Sequence, residues 1–313
     1  MRVKLVLLGF FAYSLLLFPR QSLQQETLVS TGVEQTLSVT VDRVNVLFTV
    51  AGRGGKLITN LTKDDFAVFE DGEPQTISNF SRDADMPVNI ALLIDTSGSV
   101  RDKLHFEREA ASRFFYSVLR SGRDRALLMS FDTGVEIIQD YTDDPVVLQT
   151  AMQTMVAGGS TSLYDAVAQA SVHEQSNRGG RHVIVVLSDG LDNSSHVNLE
   201  SALRIAQEND TVIYSISTNR IAGPLSLEPE LGDSHLTILA AETGGRALFP
   251  TRMDELTHAF DRIIEEIRAQ YSLAYGPTNG QHDGSFRTIH VVASHKGYVV
   301  RCRHGYFAPH SRH

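Results

Sequence analysis

A chain of 313 residues with one cysteine, Cys302, can form no intrachain disulfide, so its stability must come from packing. Basic residues are also in short supply. The 28 Lys and Arg are outnumbered by 37 Asp and Glu, and the net charge of −9 is spread along the chain rather than gathered in a tail. A nucleic-acid surface needs a basic stripe, which is missing here; the balance serves solubility instead. Proline and glycine are too sparse for a disordered chain. The locally basic end, "SHKGYVVRCRHGYFAPHSRH", carries several His but no metal-ligand spacing, and reads as solvated surface.

The common catalytic fingerprints are missing too. There is no G-x-S-x-G elbow with a triad His, no P-loop and no dinucleotide fingerprint. The stretch "LLIDTSGS" approaches the apolar-Asp-Thr-Gly loop of aspartic proteases, but Ser97 follows Thr96 and Gly98 comes one position late. That chemistry also needs two carboxylates brought together by two β lobes. A metal-assisted hydrolase would need a general base beyond the ligands, and none stands out. The reading is of a non-enzyme.

Long apolar runs are scarce apart from the N-terminus. "MRVKLVLLGFFAYSLLLF" sets Arg2 and Lys4 before an apolar run from Leu5 to Phe18, the layout of a secretory signal. The run falls short of the roughly 20 residues of a spanning helix. No small-x-small cleavage site follows, so residues 1–25 are expected to be a signal peptide or an anchor, with membrane association through that segment. A secreted, periplasmic or envelope location in a bacterium follows.

The rest of the chain divides by rhythm. Residues 26–86 are β-like: "TLSVTVDRVNVLFTV", then "DDFAVFEDGEPQTISNF", read as two strands joined at Asp71-Gly72. Over residues 87–270 apolar strands ("VNIALLID", "RALLMSF", "RHVIVVLSDG", "TVIYSIST") alternate with helix-period segments such as "KLHFEREAASRFFYSVLR" and "MDELTHAFDRIIEEIRAQ". This predicts an α/β domain with a doubly wound, mostly parallel sheet flanked by helices. Residues 271–313 return to β. Neither β region is large enough for a core of its own, so the two are expected to pack together as a small β domain into which the α/β unit is inserted.

Open α/β sheets bind ligands outside the carboxyl ends of their strands. Three segments bring oxygen chemistry to that edge: "LLIDTSGS" with Asp95, Ser97 and Ser99; "GGSTSLYDAV" with Thr161; and "IVVLSDG" with Asp189. In an extended loop alternate side chains face one way, which would point Asp95, Ser97 and Ser99 at a common centre. Hard oxygen donors suit Mg²⁺, Mn²⁺ or Ca²⁺ rather than zinc or copper. Two carboxylates among neutral hydroxyls leave such an ion under-neutralised and ready for an outside acid. Several acids have plainer roles available: Asp95 as a cap for the helix near Asp102, Asp165 as an early-helix acid or a support for the loops, and Asp132 and Asp192 as turn residues.

D-x-S-x-S, a later Thr in a Gly-rich loop and the Asp of a strand-terminal S-D-G together resemble the metal-ion-dependent adhesion site of von Willebrand factor A domains. The resemblance covers residues 87–270. It implies direct metal contacts from Ser97, Ser99 and Thr161, with Asp95 and Asp189 binding directly or through water. Thr161 is flanked by Ser160 and Ser162, so a slip of one residue would change that ligand. The β flanks resemble exported von Willebrand A-related proteins known mainly from Acidobacteria. The implied function is cell-adhesion-type protein binding: a divalent cation, Mg²⁺ foremost, accepts a Glu or Asp from a partner protein. The alternative is a scaffolding subunit of an envelope complex whose metal is purely structural.

Overall fold

The structure is a computed structural model that describes residues 43–82, 86–175, 179–221 and 229–310. The expected signal or anchor segment, residues 1–25, lies outside the described residues, as does the start of the N-terminal β segment. No described helix is long and apolar enough to cross a membrane.

Before residue 86 the chain forms β1 (Val44–Ala51), β2 (Phe66–Glu70), β3 (Glu73–Gln75) and β4 (Ile77–Arg82). β2 and β3 are joined by Asp71-Gly72, both at positive φ (49° and 87°). This is the turn geometry whose twist matches a two-residue hairpin. The stretch expected to hold two strands therefore holds three, because β3 ends at Gln75 and a new strand begins at Ile77.

The α/β region follows. β5 (Val88–Asp95) has all eight residues buried, as a strand covered on both faces must. After it come α1 (Leu104–Val118), β6 (Arg125–Phe131), β7 (Val135–Thr142), α2 (Pro145–Met152), α3 (Leu163–Gln175), β8 (Arg181–Ser188), α4 (Leu199–Glu208), β9 (Thr211–Ser217), α5 (Pro229–Thr243), β10 (Ala247–Leu248) and α6 (Met253–Arg268). Helix starts are set locally. Asp144 caps α2, accepting from Val146 N at 2.8 Å with Pro145 in the first turn, and Asn198 caps α4, accepting from Ser201 N at 2.9 Å.

The six strands lie in the order β10-β9-β8-β5-β6-β7, all parallel except β7. The period reading did not identify β7. Its half-exposed, mixed sequence "VEIIQDYT" carries neither a continuous apolar run nor a clean alternation. Successive residues of β5 face opposite cores. Ile90, Leu92 and Ile94 pack towards α1 and α6, where Phe114 and Phe260 meet at 4.8 Å between ring centroids; Ala91 and Leu93 pack towards α3, α4 and α5.

After α6 come β11 (Tyr271–Tyr275), β12 (Phe286–Ala293), β13 (Val299–Cys302) and β14 (Gly305–Phe307). They interleave with the first four strands into two sheets, β13-β1-β11-β4 and β14-β12-β2-β3, around a shared core that includes Val46, Phe48, Val68, Leu273 and Val291. Arg287 is buried on the inward side of β12, 3.5 Å from Glu70. The other oxygen of Glu70 accepts from Tyr275 and Tyr306 at 2.8 and 2.9 Å. A buried charge is tolerated there because it is paired and hydrogen-bonded.

Candidate metal centre

β5 is flanked by β6 on one side and β8 on the other, and the chain reaches those neighbours in opposite directions from it. The carboxyl ends of β5 and β8 therefore border the switch point of the sheet, where a crevice opens. Asp95 ends β5, Ser188 ends β8, and Asp189 follows it.

Asp95 is fully buried. One oxygen accepts from Ser97 N at 2.9 Å and the other from Ser188 Oγ at 2.6 Å. It does not cap the following helix: α1 begins at Leu104, after a 3₁₀ turn over Gly98–Val100. That turn also corrects the reason expected for convergence. The loop is extended only as far as Ser97 and then coils. The coil brings the hydroxyls of Ser97 and Ser99 to 3.0 Å from each other. The exposed Ser99 in turn donates to Asp189 Oδ2 at 3.0 Å. Asp95, Ser97, Ser99, Ser188 and Asp189 thus form one hydrogen-bonded string across two adjacent strand ends, joined at Asp95 by the Ser97 backbone N–H.

Thr161 enters through its backbone. Its N–H donates to Asn193 Oδ1 at 2.9 Å, and its carbonyl accepts from Asn193 and Ser194 N, both at 3.0 Å. Its Gly-rich loop is zipped to the Asp95 loop by Gly98 N to Gly159 O (3.1 Å) and Gly158 N to Thr96 O (2.7 Å). Close approach also holds Asp189. Gly190 stands at φ 80°, and a Cβ on Gly232 would lie 2.1 Å from the carbonyl of Asp189, which Asn219 Nδ2 reaches at 2.8 Å.

The other acids weighed from the sequence sit around this centre. Asp165 accepts from the backbone N–H groups of His196 and Val197, each at 3.0 Å, and pairs with the His196 ring. Burial alone would raise its pKa, but these bonds outweigh it and hold the carboxyl below its usual range. Asp192 joins the start of α3, through Tyr164 N at 3.0 Å, to Ser195. Both acids clamp the loop after β8 onto α3. Asp132 accepts from Gly134 N at 3.1 Å within its own turn.

Two residues of this neighbourhood were missed by the motif reading. Glu107, on α1, is 1% exposed, and among the described residues neither of its carboxylate oxygens has a hydrogen-bond partner. Lys103, one turn earlier, is 5% exposed and donates to the carbonyl of Thr218 at 2.8 Å. The signal was present: Glu107 interrupts the apolar face that Leu104, Ala111, Phe114 and Val118 otherwise make continuous.

The electrostatics agree with an excess of negative charge. Burial, and then the Asp189 carboxylate, push Asp95 up to about 7. Burial, with Asp95 and Asp189 adding to it against Lys103, raises Glu107 well above the usual carboxylate range. Among the described residues no group of three or more His, Cys, Asp or Glu is placed to hold an ion. An ion here would have to draw on neutral oxygens as well, and the Ser97 and Ser99 hydroxyls stand 3.0 Å apart beside Asp189. Hard neutral donors beside two mutually repelling carboxylates, with the buried and unpartnered Glu107 nearby, fit a divalent cation of oxygen preference.

Residues 90–192 match the family model for the von Willebrand factor type A domain, a span that takes in Asp95, Ser97, Ser99, Thr161 and Asp189. Among solved structures, the chain is similar to proximal thread matrix protein 1 from the mussel byssus, with a TM-score of 0.51 and 14% identity over 64% of this chain and 50% of that one. In that structure the metal-ion-dependent adhesion site motif is occupied by zinc. The PilB minor pilin of Streptococcus sanguinis matches with a TM-score of 0.47 and 16% identity over 59% of this chain and 62% of its own length. The von Willebrand factor domain of the type V pilus tip protein Mfa5 from Porphyromonas gingivalis gives 0.48 and 14%, over 58% of this chain and 95% of that one. The chain thus spans between half and two thirds of the thread protein and of the pilin. No curated protein sequence matches it.

Proposed function

We propose that the chain is an exported, metal-dependent protein-binding module, with a divalent cation held by Asp95, Ser97, Ser99, Thr161 and Asp189 and an acidic residue of a partner protein as its ligand. One observation carries the reading. Oxygens from two strand ends are linked within 3.0 Å of one another through Ser97, Ser99 and Asp189, beside a fully buried carboxylate, Asp95, that makes no ion pair among the described residues. The match of residues 90–192 to a domain that commonly mediates protein interactions supports it.

When bound, the cation supplies a hard Lewis-acid position for an external carboxylate oxygen. The chain's own residues do the rest. Asp95 and Asp189 provide the charge, the hydroxyls provide neutral donors, and Asp165, Asp192 and Asn193 keep the loop after β8 against the Thr161 loop and α3. Neutral donors matter here, because a site saturated with its own carboxylates would have less affinity for one from outside. Mg²⁺ is the preferred ion, with Mn²⁺ or Ca²⁺ as substitutes. The N-terminal apolar segment supports a secreted, periplasmic or envelope location.

A scaffolding role is the second reading. It is favoured by the loops already being tied together through Ser99–Asp189 and Gly98–Gly159. Calorimetric titration of an acidic peptide into the full chain separates the two. Binding in MgCl2 that vanishes with chelator supports the adhesion reading. Equal binding, or none, in both conditions contradicts it.

A further inference from the structure

Glu107 does no structural work that explains its presence. It lies on the inward face of α1, is 1% exposed, and has no hydrogen-bond partner for either oxygen among the described residues. The flanking inward positions, Leu104, Ala110, Ala111 and Phe114, are apolar, so Leu or Met would suit the packing better. An unpaired buried carboxylate is a costly choice.

Its surroundings supply a purpose. α1 continues directly from the 3₁₀ turn that carries Ser99: Lys103 N donates to Val100 O at 2.9 Å, and Glu107 N to Lys103 O at 3.1 Å. The charges that act on Glu107 are those of Asp95, Asp189 and Lys103. Lys103 is itself anchored across the crevice, on the carbonyl of Thr218 just beyond β9. Thr218 N donates to Ser188 O at 2.9 Å, so this anchor is fixed to the strand end that carries Asp189. The neighbourhood therefore holds three buried carboxylates and one buried ammonium, and with all three carboxylates ionised it is two positive charges short of balance.

We propose that Glu107 is a positioning residue that sets the charge of the cation site without touching the ion, and that Lys103 opposes it. This rests on the metal-binding reading above. With Glu107 ionised, a divalent cation balances the site. Without it, one surplus positive charge would sit in a buried crevice. Lys103 acts in the other sense, holding affinity below what three uncompensated carboxylates would give.

The test is titration of MgCl2 into the full chain and its variants by isothermal calorimetry, with melting in chelator as a second readout. Glu107→Gln keeps the shape and removes the charge. It is expected to weaken Mg²⁺ binding roughly 10- to 100-fold, the range usual for residues that act behind metal ligands, while raising the melting temperature in chelator. Lys103→Met is expected to tighten Mg²⁺ binding. A merely structural role would lower the melting temperature of Glu107→Gln and give both substitutions the same sign in affinity. A Glu107→Gln loss smaller than tenfold overturns the inference, whether or not Lys103→Met folds. If the unaltered chain itself takes up no Mg²⁺, the metal-binding reading fails first, so the two failures are distinguishable.

Discussion

Replacing Asp95 by Asn is expected to stabilise the protein in chelator while removing its response to metal. A carboxyl with a folded pKa near 7, against an ordinary 3.8, opposes folding of its ionised form by up to about 4 kcal/mol at pH 8. The amide keeps the acceptor for Ser97 N. It weakens the Ser188 contact, because the Ser188 hydroxyl already accepts from Gly190 N at 3.0 Å and would now face a second donor. That loss is worth about 1–1.5 kcal/mol, leaving a net gain of about 2–3 kcal/mol. For a folded unit of this size, each kcal/mol moves the melting temperature by roughly 2–4 °C, so the variant should melt about 5–10 °C higher. Mg²⁺ at a hundred times its dissociation constant adds roughly 2.7 kcal/mol to the unaltered protein and should lift it by a similar amount. Differential scanning calorimetry at pH 8, with chelator and then with MgCl2, reads both. If the variant melts lower than the parent in chelator, or gains as much from Mg²⁺, the reasoning about Asp95 is wrong.

The same group gives a pH dependence. Between about pH 4 and 7 folded Asp95 keeps a proton that the unfolded chain has released, so in chelator the melting temperature should fall as pH rises over that interval and level off above it, and Asp95→Asn should flatten that step. Asp124 behaves oppositely. Burial would raise it, but hydrogen bonds from Arg120 and Arg268 prevail and hold it at about 2, so its contribution is present above pH 4 and lost as pH falls through 2. Asp124→Asn should cost about 2–3 kcal/mol in denaturant unfolding at pH 7. Gly232→Ala forces a Cβ to 2.1 Å from Asp189 O and should cost about 1–3 kcal/mol while weakening the Mg²⁺-induced shift in melting temperature. Deleting residues 271–313 removes β11 from between β1 and β4 and should give an aggregating product by light scattering; a soluble monomer would contradict the shared core.

The α/β class was legible because buried parallel strands such as β5 are continuous apolar runs and the helices between them keep a 3.6-residue period. β7 was not, since an edge strand of mixed exposure writes neither pattern. The acids ending β5 and β8 were legible as polar residues that stop an apolar run. How Ser97 and Ser99 meet was not, because the 3₁₀ turn depends on Gly98 and the Gly159 loop pairing across residues distant in sequence. Glu107 left a faint trace as an acid on an apolar helix face, but its meaning needs the neighbouring carboxylates in space.

Whether Asp95, Ser97, Ser99, Thr161 and Asp189 hold one divalent cation can be read from anomalous diffraction by crystals grown with MnCl2. A single strong peak within coordinating distance of the Ser97, Ser99 and Thr161 hydroxyls is predicted. A crevice without such a peak at millimolar Mn²⁺, or a peak held by other residues, would contradict it.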